Sequence, residues 1–340
     1  MSRKRREGGY AMSREGGQAR VRKPTQTTAV LAMCAILMVV FSVSLHGFLT
    51  VGNLLTLARN ISILGILALG MAVVVIGRGL DLSQVAVLAV STAITIIVMN
   101  AGYPTGLALA IGFVLAVVIG ALNGFLISVI EMPPLLTTLA SSLAVLGITR
   151  STAVPHYVVY LAKGHDGFLR LGSNILNGIP APIFIFIAMA VLVHLFLSRT
   201  VLGRFIYAHG DNPDAARLTG LPTRPLTMLE YGLSAAVGYV GGVVMISETA
   251  LMHLQVAEST LIFDVIMVVV LGGVSLVGGR GNVMSVVVGT LLIGVLLNGM
   301  TIMDMDVQTQ NIIKGIVLLI AIVLDSYLHP RDEETSKQGD

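Results

Sequence analysis

The stretch "GDNPDAARLTGLPT", Gly210 to Thr223, is polar and helix-forming, and it lies in the middle of a chain that is otherwise mostly apolar. Asn212 suits an N-cap, and Pro213 fits the first helical position, where a missing N–H costs nothing. Asp214 falls in the first turn, where the helix dipole favours a negative charge, and Arg217 lies near the far end. Gly220 is placed to end the helix in a left-handed conformation, and Pro222 prevents its resumption. The spacing predicts a helix of about seven residues, about 10 Å long. That is far too short to cross a bilayer, and a helix this short is unstable alone in water. It must be held, either by its own chain or by a partner, and Ala215 and Ala216 in its middle permit close approach by another surface.

The surrounding sequence says what the helix is embedded in. The chain of 340 residues is 55% hydrophobic and only 11% charged, against about 25% charged residues in soluble domains. Apolar runs long enough to cross a membrane recur along its length. Ten are read, at 27–47, 57–77, 82–99, 104–130, 136–150, 182–198, 228–248, 263–277, 283–303 and 310–328. The fold class expected is an all-α integral membrane protein of about ten transmembrane helices. A basic tail, 1–26, precedes a membrane domain, 27–328, and a short tail, 329–340. Placing the basic tail inside puts both termini inside. The connection 199–227, which holds the short helix, is then cytoplasmic, and the one long external connection is 151–181. Of the 21 Lys and Arg, sixteen then lie inside and five (Arg59, Arg150, Lys163, Arg170, Lys314) outside, as the positive-inside rule requires. "SVS" at Ser42–Ser44 also fits a leader cleavage site; the long basic region and the later spans favour an uncleaved anchor. The external connection reads equally as short surface elements or as a linker.

Several function classes are set aside. The lone cysteine, Cys34, allows no intrachain disulfide. The seven histidines form no cluster, so no metal site or other cofactor is expected. The basic tail is better explained by membrane orientation than by nucleic acid. There is no G-x-x-x-x-G-K-[ST] loop, no H-E-x-x-H and no supported Ser/His pair, so no catalytic residue is assigned and any ATP hydrolysis belongs to another chain. An ion-coupled secondary transporter is the main rival class. It would need ionisable residues deep in spans, whereas Asp264, Asp304, Asp306 and Asp325 sit near segment ends.

Polar residues inside apolar segments are the default candidates for a solute path. Asp81 and Ser83 follow a Gly77–Gly79 break, where a helix can be discontinuous; Asp81 equally suits a cap for the next helix. Asn123 and Asn298 either line a path or bond between helices, and Thr137 and Thr138 either line it or bond their own helix backbone. Glu248 and Glu258 are either contacts for an external protein or solvated loop charges.

A resemblance joins these pieces. "DAARLTG" (Asp214–Gly220) resembles the E-A-A-x-x-x-G motif of permease subunits of bacterial ATP-binding-cassette importers, and the fuller stretch is similar to that of the sugar permeases serving ribose, xylose and arabinose. "GRGLDLS" (Gly77–Ser83), "MPPLLTTLASSLAVLGITRS" (Met132–Ser151), "VVLGGVSLVGGRGNV" (Val269–Val283), "LLNGM" (Leu296–Met300) and "QNIIKGIVLLIAIVLD" (Gln310–Asp325) follow in the family's order. Arg78, Val85 and Ser285 depart from it, each standing where glycine is usual. The resemblance implies a bacterial inner-membrane subunit that forms the pathway for a sugar or sugar-like solute. It implies a second permease chain (identical or different), a cytoplasmic ATPase and an external solute-binding protein as partners. Asn212, Pro213, Asp214, Ala215, Ala216, Arg217 and Gly220 are the ATPase-coupling residues on this reading. A permease for branched-chain amino acids is the nearest alternative.

Overall fold

The computed structural model describes residues 26–175 and 178–328. The basic tail up to residue 25 and the tail 329–340 lie outside the described residues. The elements in chain order are α1 (Gln26–Ser44), α2 (Val51–Ile76), α3 (Gln84–Asn100), α4 (Thr105–Ser128) and α5 (Pro134–Thr152). A short set follows: β1 (Val158–Tyr160), α6 (Asp166–Leu169), β2 (Asn174–Ile175) and β3 (Ile179–Pro180). Then come α7 (Ala181–Arg199), α8 (Val201–Asp211), α9 (Pro213–Leu218), α10 (Thr223–Thr249) and β4 (Leu251–His253). The chain finishes with α11 (Leu261–Gly272), α12 (Val283–Ile302) and α13 (Val307–Leu328).

Each of the ten apolar segments overlaps one helix. Six helices (α1, α2, α4, α7, α10 and α12) are long and apolar enough to cross a membrane by length and composition. The apolar helices α3 and α11 and the stretch Val307–Val323 of α13 are shorter. In α5, Thr137, Thr138, Ser141 and Ser142 dilute the apolar run.

Helix α2 has 26 residues and therefore measures about 39 Å. Its consecutive residues Ile66, Leu67, Ala68 and Leu69 are all wholly buried. A helix apolar on every face must be covered on every face, and α2 is enclosed by α7, α10, α11 and α12. Helix α10 is its counterpart, packed on α2, α3 and α4.

The α4–α10 seam depends on missing side chains. A Cβ on Gly120 would meet the Tyr231 carbonyl at 2.5 Å, and one on Gly124 would meet the Met228 Cα at 2.5 Å. Small residues of this kind let helix backbones close up where no hydrophobic effect drives them together. Ser285 shows the reverse. It stands where the resemblance expects glycine, and its hydroxyl lies 3.1 Å from that of Thr27, tying α12 to α1.

The two ends of the bundle differ. At one end, residues from the long connection 151–181 form short surface elements: β1 pairs antiparallel with β4 and β2 with β3. The Arg150 guanidinium lies 3.7 Å from the Tyr157 ring centroid. At the other end lie α8 and α9. "Strand end" and "α9 end" name them below.

Gly120→Ala is expected to destabilise the detergent-solubilised protein by about 1–3 kcal/mol, because α4 and α10 must separate. Gly106→Ala, where an added Cβ meets nothing within 4 Å, serves as the control. Thermal unfolding of the pair checks this, and equal midpoints would contradict the close-packed seam.

Candidate functional site

Helix α2 stops at Gly77, with Ile76 wholly buried and Arg78, two residues on, already exposed at the α9 end. The chain turns at Arg78, whose φ of +70° lies in the left-handed region that side chains resist by about 1–2 kcal/mol. A glycine, which the resemblance expects at this position, would adopt this conformation without that cost. The flanking glycines are needed for space: a Cβ on Gly77 would run into the Glu230 carboxylate, and one on Gly79 would lie 2.6 Å from the Tyr231 hydroxyl. Backbone bonds from Arg78 N to Val75 O at 3.0 Å and from Gly79 N to Val74 O at 2.8 Å close the helix end.

Four of the six path candidates meet at this break. Asp81, 1% exposed, accepts at Oδ1 from the Ser83 amide (3.0 Å) and the Ser83 hydroxyl (2.6 Å). Its Oδ2 accepts from the Ser234 hydroxyl at 2.9 Å. Asn123 Nδ2 donates to Ser83 Oγ at 2.8 Å. The carboxylate thus closes the turn before α3 and also reaches across to α10, with α4 joined through Asn123. Thr138 Oγ1 accepts from the Leu82 amide at 3.2 Å and donates to Pro134 O at 2.9 Å, which ties α5 to the same segment. Ser234 is a member that sequence reading missed; 153 residues separate it from Asp81.

The other two lie apart. Thr137 donates to Pro133 O of its own helix at 2.9 Å. Asn298 exchanges reciprocal amide bonds with Asn53, at 2.8 and 3.0 Å, near the strand end. Asn53 and Asn298 border a cavity of about 360 Å³, with Asn60, Thr56, Thr301 and Asp264 also on its wall.

Two ionisable groups are buried in the bundle, although Asp264 lies in the first turn of α11, near the segment end where the sequence places it. Glu230 is 1% exposed inside α10, and its Oε1 has no hydrogen-bond partner. It borders a cavity of about 210 Å³ at the α9 end. Asp264 is buried on α11, and its Oδ2 accepts from Lys314 Nζ of α13 at 2.9 Å. The sequence signal for Glu230 was an acidic residue inside an apolar run; its proximity to Gly77 was invisible because the contact is non-local.

Helix α9 begins as its caps dictate. Asn212 Oδ1 accepts from the Ala215 amide at 3.0 Å, Pro213 opens the helix and Gly220 follows it at φ +81°. Asn212 also ends α8, so one residue joins the two helices. Ala215 is exposed and Ala216 is buried, on a helix that packs against α8 and α10. A methyl carries no polarity that would mark one alanine as inward and its neighbour as outward. The outward apolar group is Leu218, 88% exposed, which sequence reading passed over. Arg217 shares the smaller cavity with Arg78, Arg224 and His209. Burial first, then Arg217 and Arg78, hold the His209 imidazole below its ordinary value of 6.5.

Residues 53–322 match the family model described as "Branched-chain amino acid transport system / permease component". The chain is similar to the ribose import permease protein RbsC of Bacillus subtilis (strain 168), with 33% identity over 290 residues, covering 85% of this chain and 89% of that protein. It is 32% identical over 304 residues to the L-arabinose transport system permease protein AraH of Escherichia coli (strain K12), covering 88% and 90%. The ribose import permease protein RbsC of the same strain is 28% identical over 300 residues, covering 88% and 92%. No solved structure matches.

Asp81→Ala strands the donors of Ser83 and Ser234 in a dry interior, and a loss of about 2–4 kcal/mol is expected. Thr137→Val removes only a bond to its own helix and is expected to cost under about 1 kcal/mol. Thermal unfolding in detergent compares them, and an Asp81→Ala midpoint equal to wild type would contradict the network.

Proposed function

The chain belongs to the family of branched-chain amino acid transport system permease components, and from that premise we propose that it is the membrane-spanning subunit of a bacterial ATP-binding-cassette importer for a sugar or sugar-like solute. Its role is passage rather than catalysis: energy comes from a cytoplasmic ATPase, and solute is delivered by an external binding protein. The protein lies in the inner membrane with about ten spans and both termini inside, and it works beside a second permease chain. The observation that carries the solute class is the likeness, over 85% or more of the chain, to permeases named for ribose and L-arabinose. These names favour a sugar over the branched-chain amino acids of the family's description and over an ion-coupled transporter.

Helix α9 supports the coupling role. A capped helix of six residues has no stability of its own, so its orientation is imposed by α8 and α10. It presents Leu218 and Ala215 outward, giving an ATPase groove an apolar contact, while Asn212, Pro213, Asp214 and Gly220 set its shape. Ala216 acts by seating the helix. A helix so anchored transmits rigid-body displacement to the elements beside it. The path runs past the α2–α3 break: Asp81, Ser83, Asn123 and Thr138 hold that segment in one conformation, and Asn298 lies toward the outer face.

Leu218→Asp and Gly220→Val are expected to insert normally, to lose co-purification of the ATPase, and to lower uptake of D-ribose or L-arabinose at least about tenfold, equivalent to roughly 1.4 kcal/mol. Wild-type recovery of the ATPase with both variants would overturn the role given to α9. Uptake of a branched-chain amino acid by the intact system, with no uptake of any pentose or hexose, would overturn the solute class.

A further inference from the structure

Three chain segments meet backbone to backbone at the α9 end. The last turn of α8 brings Gly210 so close to Ile76, the final residue of α2, that a Cβ would run into the Ile76 carbonyl; it would also lie 2.6 Å from the Gly279 amide. The α11–α12 connection supplies the third member. Gly279 donates its amide to Ile76 O at 2.8 Å. A Cβ on Gly279 would lie 2.6 Å from the Asp211 Cα, and one on Gly278 would lie 2.7 Å from the Gly210 carbonyl. Gly278 and Gly279 have φ of +92° and +69°, a conformation that glycine adopts without strain. One side chain fastens the assembly: the Tyr207 hydroxyl on α8 donates to Gly281 O at 2.8 Å.

We propose that Gly210, Gly279 and the Ile76 carbonyl form a backbone joint, positioned by Tyr207, that carries displacement of α9 into the α2–α3 break. The proposal rests on the reading of α9 as the ATPase contact and adds where its motion goes. Asn212 alone separates α8 from α9, so α9 cannot shift without loading the end of α8. That end has no compressible side chain between it and Ile76. Backbones packed at this distance move together or part, because a packed interior has no slack to absorb the shift. The residues after Ile76 are the Gly77–Ser83 segment, held to α10 by Asp81 and Ser234. The joint therefore addresses the α2–α3 break directly, in addition to the flanking helices α7 and α10. The α11–α12 connection is drawn along through Gly279.

Hydrogen exchange on the complete complex with its ATPase, with and without a non-hydrolysable ATP analogue, tests this. In the wild type, nucleotide is expected to change exchange by about threefold or more in 207–218, 77–83 and 275–281 together. In Gly210→Ala the change persists in 207–218 and falls by at least half in the other two segments. Tyr207→Phe adds no atom and so keeps the fold; it is expected to act in the same direction, and it decides alone if the alanine variant does not accumulate. Nucleotide-dependent change confined to 207–218 in the wild type, or an undiminished response of 77–83 and 275–281 in Tyr207→Phe, would overturn the joint while leaving the coupling role of α9 standing. Failure of the wild type to bind the ATPase would remove that role and the joint with it.

Discussion

A helix whose last turn is buried leaves backbone groups with no water to satisfy them, and much of this structure follows from how α2 and α3 meet that demand. Ile76 is wholly buried, and its carbonyl finds the Gly279 amide. The next residues fold back on α2 through their own amides. Asp81 then supplies acceptors for the start of α3, since the assigned N-cap, Ser83, makes no side-chain cap of its own. A buried carboxylate is costly unless its oxygens are bonded, and here Ser83 and Ser234 bond them. The break is thus a built element, with partners from α4, α5, α10 and the α11–α12 connection.

That arrangement places chemistry of two kinds at opposite ends of the molecule. At the α9 end, glycines remove bulk so that backbones touch, and a short capped helix projects Leu218. Toward the strand end, Asn53, Asn298 and Asp264 leave polar groups around a larger cavity. On the proposed reading, the first end receives force from an ATPase and the second faces the solute supply. Relatives named for ribose and L-arabinose import give that reading its solute class, and the physical layout gives it a route.

Much of α9 was legible because its determinants are local: Asn212, Pro213 and Gly220 each act within a few residues. The apolar segments were legible for the same reason, since hydropathy is a property of a run. What escaped was non-local. Ser234 lies 153 residues from Asp81, and Lys314 lies 50 from Asp264, and no spacing rule joins such pairs. Glu230 escaped because its neighbour is a glycine, which leaves no side-chain signature of contact. Which of Ala215 and Ala216 is buried was not legible, because α9 is too short to show which face is apolar. Arg78 and Ser285 were legible as departures only; their consequences, a left-handed residue and a bond to Thr27, needed the backbone path.

The central claim is that α9 is a cytoplasmic projection gripped by another protein. In a Cys34→Ala background, Leu218→Cys places one thiol at a side-chain position of that helix that is 88% exposed. A membrane-impermeant maleimide is predicted to label it in inside-out vesicles, less so once the ATPase is bound, and not in right-side-out vesicles. Labelling from the outer face, or labelling indifferent to the ATPase, would contradict the account.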